Sequence, residues 1–439
     1  MQRDNITNVS VSENEYSETD GDLMLNQLIY EMPKALSLRT SKTHVSQYPQ
    51  QSTYTVSRDT VMVWTWNTGN SYIDCANSYL KFRLKATGTA AVTPPTFGTS
   101  GSGALNLINS CRIRSKSGVE LSRTENLNMY NTFRIASEKS QQWINTIGSA
   151  FYVNATTSPF NSANTLFTDV TIPLSEISSF FRPLKSGQLL PCQLASGLNI
   201  ELSLESISKS FKDPSAFFGA GSSLLLTDIH MSLSTVNLSD ETSKILNLES
   251  SQSGLEFVYP RVFSYQNIFP AGSTNINIQL QKSVSQAVRV STILSNNANA
   301  TNGLVDSFVS EAWKVKNWQY RLGSSYFPNQ PVIESTTSSL PGVQSYMLGL
   351  TSYDKMTSPF SESSVTLQKF GTSNGSISTS LERDSSLAIS GQSINNSRVL
   401  EALIERDASA DTTDKLQVDC FLTYIAVAKA YIDNVSVSI

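Results

Sequence analysis

Residues 79–85 read Tyr-Leu-Lys-Phe-Arg-Leu-Lys, an unbroken alternation of side chains. Leu80, Phe82 and Leu84 fall on one face, and Tyr79, Lys81, Arg83 and Lys85 on the other, the pattern of a half-buried strand. Leu198–Glu205 repeats that period, as does Leu224–Ser234, and Val170–Leu174 is a further strand. Thr53–Val56 and Val61–Trp66 are β-branched and aromatic and end at the turn signal Asn67-Thr68-Gly69-Asn70. Ile113, Val119 and Leu121 frame a hairpin turning at Ser117-Gly118. Further strands are expected at Leu255–Val258, Asn275–Leu280, Val288–Ile293, Trp313–Leu322, Val365–Leu367, Ser386–Ile389 and Leu416–Ala430. Helical patterns are few: Asn126–Gln142, and Ser239–Gly254 as a short linker.

Short strands separated by Gly, Pro and Asn turns indicate an all-β sandwich. The series runs twice, each time over about 190 residues, which suits two tandem eight-stranded jelly rolls. The expected division is a first jelly roll over 51–240 and a second over 241–439, preceded by an N-terminal arm over 1–50. No short fixed repeat is present, which excludes propellers and solenoids. In the arm, the first 22 residues are polar and acidic. Leu23, Leu25, Leu28, Ile29 and Met32 then form one helical pattern that Asp22 can cap and Pro33 stops. Ser41–Gln51 reads as a loose stretch.

Charged residues are 15% of the chain, well under the roughly 25% of ordinary domains. The net charge is only −4, and 19 Phe, 16 Tyr and 5 Trp are available to fill cores. That composition excludes a disordered chain. It also gives no basic excess for sequence-specific nucleic-acid binding. The one short basic grouping, Arg112-Ile113-Arg114-Ser115-Lys116, alternates like the solvated face of a strand. No apolar run approaches a membrane span, and the N-terminus shows no signal-peptide pattern. Cys75, Cys111, Cys192 and Cys420 are far apart, as expected of buried thiols in a reduced intracellular compartment.

Residues able to carry chemistry are sparse. Only two histidines occur, His44 in the arm and His230 inside a strand pattern, and His230 reads as a structural strand residue. A zinc site or a catalytic triad would need one of them beside ligands or partners that no spacing supplies. Gly98–Gly103 lacks the lysine of a phosphate loop. Asp407, Asp411 and Asp414 resemble a calcium loop but lack its glycine, and Val418 stands where the closing glutamate belongs. Glu201 and Glu205, on one face of a strand, would sit roughly 13 Å apart, too far for a glycosidase pair. Trp313 and Trp318 read as core residues rather than a sugar platform. No residue is assigned a catalytic, cofactor-binding or metal-ligating role, no cofactor is expected, and the chain is read as a non-enzyme.

One segment says more. Ile172-Pro173-Leu174 leads to Phe180-Phe181-Arg182-Pro183-Leu184, then Gly187-Gln188-Leu189-Leu190-Pro191, then Leu198–Leu204. This resembles the end of the first barrel in double jelly-roll major capsid proteins of DNA viruses, the lineage of adenovirus hexon, tailless phages, giant viruses and virophages. Tyr79–Phe82 is similar to an early strand of that barrel, and Leu107–Ser110, Ser117-Gly118 and Met129–Asn131 to the hairpin and helix after it. Trp318–Ser324 and Tyr326–Pro331 resemble a section of the second barrel, which the strand around Phe421–Tyr424 closes. The run after Ile172-Pro173-Leu174 departs from the family pattern at Ser175 and Glu176.

The resemblance implies a homotrimeric, pseudo-hexameric capsomer in an icosahedral virion shell assembled inside the host cell. Its implied partners are neighbouring capsomers, penton and minor capsid proteins, and an internal membrane where one is present. Loops Ala86–Ala104, Phe151–Thr165, Ser295–Val305 and Ser335–Ser363 would carry contacts or an outward tower. The alternative is a jelly-roll carbohydrate-binding surface protein or adhesin, which would need a loop of clustered aromatics and acids. A polysaccharide-degrading sandwich enzyme is the third reading.

Overall fold

The computed structural model describes residues 39–439 apart from 88–94, 99–100, 155–157, 161–167, 185–186, 213–222, 301–305, 311–313, 336–341, 354–362, 383–389, 396, 408–413 and 432–433. The expected Leu23–Met32 helix and Ser386–Ile389 strand lie outside the described residues, as do Trp313, Asp411 and much of the four long loops.

The first nine strands are β1 (Arg39–Gln47), β2 (Thr53–Thr55), β3 (Val61–Thr65), β4 (Tyr72–Thr87), β5 (Ile108–Arg114), β6 (Glu120–Thr124), β7 (Thr168–Pro173), β8 (Asn199–Leu204) and β9 (Ser223–Leu238). They form two antiparallel sheets, β1-β9-β4-β7 and β3-β8-β5-β6, with β2 also paired to β9. The alternation read in the sequence is the alternation of burial: Leu80, Phe82 and Leu84 are buried, while Tyr79, Lys81 and Arg83 are half-buried and Lys85 is exposed. These apolar faces meet Met62, Trp64, Ile113, Ile200 and Leu202 from the facing sheet in one core. At the hairpin, Gly118 has φ 84°, a conformation glycine adopts without a Cβ clash.

The next ten strands are β10 (Leu255–Phe269), β11 (Asn275–Leu280), β12 (Val284–Asn296), β13 (Val315–Leu322), β14 (Ser325–Ile333), β15 (Ile377–Ser380), β16 (Gln392–Ile394), β17 (Leu400–Arg406), β18 (Leu416–Ala430) and β19 (Val435–Ser438). Their sheets are β10-β18-β12-β15 and β11-β17-β13-β14, with β16 added on β12 and β19 on β18. Numbering strands from the start of each half, both halves show the orders 1-8-3-6 and 2-7-4-5, if β1 and β2 count as one position and β16 and β19 as additions. That is the interleaving of a jelly roll, made twice.

The structure corrects several readings. Ser41–Gln51 is not a loose stretch: β1 pairs residue by residue with β9, from Ser41 opposite Asn237 to Gln47 opposite Met231. Its sequence is polar because it is an edge strand, where polar and charged side chains discourage further pairing. Val365–Leu367 is not a strand. The Thr366 hydroxyl accepts from the Lys369 N–H at 3.3 Å and starts a helical turn. Glu205 does not share the face of Glu201. It lies past the end of β8 and is buried, its N–H donating to the Leu107 carbonyl at 2.8 Å. The two helical readings are borne out. Asn126–Gln142 contains helix Leu127–Glu138 and runs into helix Gln141–Thr146. The linker is helix Asp240–Gln252, capped by the Ser239 hydroxyl on the Thr242 N–H at 3.3 Å.

Candidate functional site

Among the described residues, the chemical side chains singled out in the sequence do not converge. His44 lies on β1 and His230 on β9, where its ring centroid is 5.7 Å from that of Tyr48. Glu201 pairs with Arg114 on the outer sheet face, Arg112 pairs with Glu120, and Ile113 between them is buried, as the alternation predicts. Glu205 is held by Lys209 at 3.0 Å and by the Asn128 amide at 3.2 Å. Trp318 is a core residue of the second barrel. Asp414 accepts from the Asn296 amide at 2.8 Å. All four cysteines are buried with free thiols, and burial pushes Cys111 and Cys420 up to about 12. Among the described residues, no three His, Cys, Asp or Glu side chains gather as a metal ion requires.

What the fold does assemble is a junction between the barrels. Phe180, fully buried, lies 4.9 Å edge-on from Tyr259 and 5.5 Å from Phe257, both on β10. The Tyr259 hydroxyl donates to the Leu121 carbonyl of β6 at 2.6 Å. Helix Leu127–Glu138 is buried at every position but its last. It rests on the outer face of the second barrel, where Tyr130 meets Phe421 of β18 with ring centroids 5.2 Å apart. Just before it, the Glu125 N–H donates to Ser264 and the Asn126 amide to Asp419, at 2.9 and 3.0 Å. The core of the first barrel thus continues through Phe257, Tyr259, Val262, Ile293 and Phe421 of the second.

A buried charge network on the first-barrel side borders the same junction. Arg134, with no exposed side-chain surface, bonds Glu176 and reaches Glu138 at 2.6 Å. Lys139 lies 3.1 Å from Glu176, and Arg182 3.3 Å from Glu138. Arg289 of β12 stacks 3.8 Å over the Tyr353 ring. Burial alone would raise the carboxyl of Glu176. Arg134, Arg182 and Lys139 outweigh it and hold that carboxyl at about 2. Ser175 and Glu176 interrupt the family-like apolar run because Glu176 is the acid this network is built on.

Asp419 shifts the other way. Burial raises it to about 6, although Gln417, Gln266 and Asn126 bond it and Lys209 stands near. A folded-state pKa above the unfolded one means that the stabilising contribution is complete below about pH 4 and is lost as pH rises through 6. Relative to wild type, Asp419→Asn should therefore gain about 2–3 kcal/mol between pH 4 and pH 7 in denaturant melts. A difference that does not change with pH would contradict this.

No family model and no curated protein sequence matches the chain. Solved structures match it along nearly its whole length. The Faustovirus major capsid protein superposes with a TM-score of 0.64 at 8% identity, covering 94% of each chain. PBCV-1 VP54, in a structure fitted into a reconstruction of the virophage Sputnik, gives 0.63 at 10% identity, over 93% of this chain and 99% of that one. A chain of the Sputnik virophage structure itself gives 0.59 at 10%, over 99% and 95%. The fold is the double jelly roll of viral capsid proteins. The double jelly roll was expected from the strand series, and its capsid form from the resemblance. The network was not: Arg134 and Glu138 are an i,i+4 pair on one helix, but nothing in the sequence displays that Glu176 and Arg182, from later segments, fold onto them.

Proposed function

We propose that this chain is a major capsid protein that self-assembles into pseudo-hexameric homotrimers tiling an icosahedral virion shell. The observation that carries the reading is the superposition of both barrels, together and in one arrangement, on capsid proteins covered over nine-tenths of their length or more. The junction supports it. A shell block needs two barrels locked as one body, and here aromatic packing and hydrogen bonds cross between them, beside a buried ion network on the first-barrel side. No catalytic step is assigned to the chain. Neighbouring capsomers and penton and minor capsid proteins are its proposed partners, and assembly takes place in the host cell. The segment ahead of β1 serves as the arm, lying against a neighbour, a minor protein or an internal membrane.

Negative-stain images of the purified chain, taken over a range of concentration and salt, test the proposal. Particles with a hexagonal outline are the expected result. Uniform two-lobed particles of a single chain under every condition would overturn it.

A further inference from the structure

The helix that joins the barrels, Asp240–Gln252, has one side held and one side bare. On the held side, Leu246 packs against Tyr72, Cys192 and Val236 of the first barrel. The Gln193 amide donates to the Asn247 side chain at 3.0 Å, and the Ser250 hydroxyl donates to the Ala430 carbonyl of β18 at 3.1 Å. Only Ser250 of this helix is buried. On the bare side stand Ile245 and Leu248, one turn apart and 66% and 60% exposed. β1 begins at Arg39, paired with Leu238, two positions before this helix starts. The 38 residues ahead of β1 therefore enter the fold at the N-terminal end of the joining helix.

We propose that residues Leu23–Met32 of the same chain dock on Ile245 and Leu248 as an amphipathic helix antiparallel to the joining helix. Leu25, Leu28, Ile29 and Met32 fall at i, i+3, i+4 and i+7, one apolar stripe of the width a single helix face offers. The six residues 33–38 connect that stripe to β1 and span up to about 20 Å when extended. Leu248 lies only about 14 Å along the joining helix from Ser239, so the stripe reaches it. So short a tether holds the stripe near its own helix at about millimolar effective concentration, which favours docking within a chain over exchange between chains. Lys34 in the tether is opposite in sign to Asp240 and Glu241 in the first turn of the joining helix. The docked segment covers the covalent connection between the barrels. Residues 1–22, polar and acidic, are left as the part of the arm that extends beyond the chain. The inference goes beyond the capsomer reading and does not rest on it, because both surfaces belong to one chain.

The test is amide hydrogen exchange on the full chain, comparing wild type, Ile245→Asp/Leu248→Asp and Ile333→Asp/Met347→Asp. The last pair is 72% and 41% exposed on the second barrel and serves as a control for lost apolar surface in general. Both variants should keep the barrels intact, because the altered side chains are exposed. Amides of residues 25–32 should exchange at least about tenfold faster in the Ile245/Leu248 variant than in wild type, and at the wild-type rate in the control. A second measurement oxidises Leu28→Cys/Leu248→Cys. Peptide mass spectrometry should find positions 28 and 248 linked, in a species that runs at the mass of one chain on a non-reducing gel. Equal exchange in wild type and the Ile245/Leu248 variant, equal acceleration in the control, no link, or a link found only between chains would overturn the inference. Each of those results leaves the capsomer reading standing, since that reading is tested by the native mass.

Discussion

Replacing Arg134 with Met is expected to cost about 3–5 kcal/mol of stability at neutral pH, the range for leaving one partner of a buried ion pair alone. The substitution keeps most of the side-chain volume, so the loss is electrostatic. Glu176, only 3% exposed, would keep Lys139 at 3.1 Å and Arg182 at 3.7 Å but lose its fully buried partner. Adding Glu176→Gln should recover much of the loss, because the stranded charge is then gone. The wild-type contribution of Glu176 also has a pH signature. Its folded pKa is depressed, so the stabilisation is present above the unfolded value and fades as pH falls toward 2. Chemical denaturation of wild type, the single variant and the double variant reads all of this. A loss below about 1 kcal/mol in the single variant would mean that the network contributes little to the junction.

Phe180→Ala should be as damaging, at about 3–5 kcal/mol, by removing a buried aromatic ring from close packing. Its neighbours make the expected result more specific. Phe180 touches Phe181 on its own side and Phe257 and Tyr259 across the junction. Its loss should loosen the barrels from each other more than either barrel from itself. Calorimetry should show one unfolding transition for wild type and two for the variant. A single transition shifted as a whole would place the damage inside one barrel instead.

The fold was legible wherever burial is one-sided. β4, β8, β11 and β13 each alternate because one face meets a core and the other meets water. Legibility failed where that condition fails. β1, Arg-Thr-Ser-Lys-Thr-His-Val-Ser-Gln, borrows its place from β9 and carries little apolar signal of its own. β17, Leu-Glu-Ala-Leu-Ile-Glu-Arg, is composed of good helix formers, yet it lies between β11 and β13 with Leu400, Ala402 and Ile404 buried. Sheet context overrides local propensity there. β14 holds Pro328 and Pro331, which a central strand would reject, and it tolerates them because it is the edge of its sheet. β18 is buried over its first eleven residues, on both faces, because one side fills its own barrel and the other meets the first. Its apolar character was visible, but the reason for it was not. The junction is legible only in three dimensions: Asn126 meets Asp419 across 293 positions of sequence.

The chain is proposed to be one of several identical blocks, and its native mass tests that most directly. One chain is 48.1 kDa. Light scattering on the purified protein should give three times that, about 144 kDa, as a closed cyclic trimer requires. A single species at 48.1 kDa across all concentrations and salts would contradict the account.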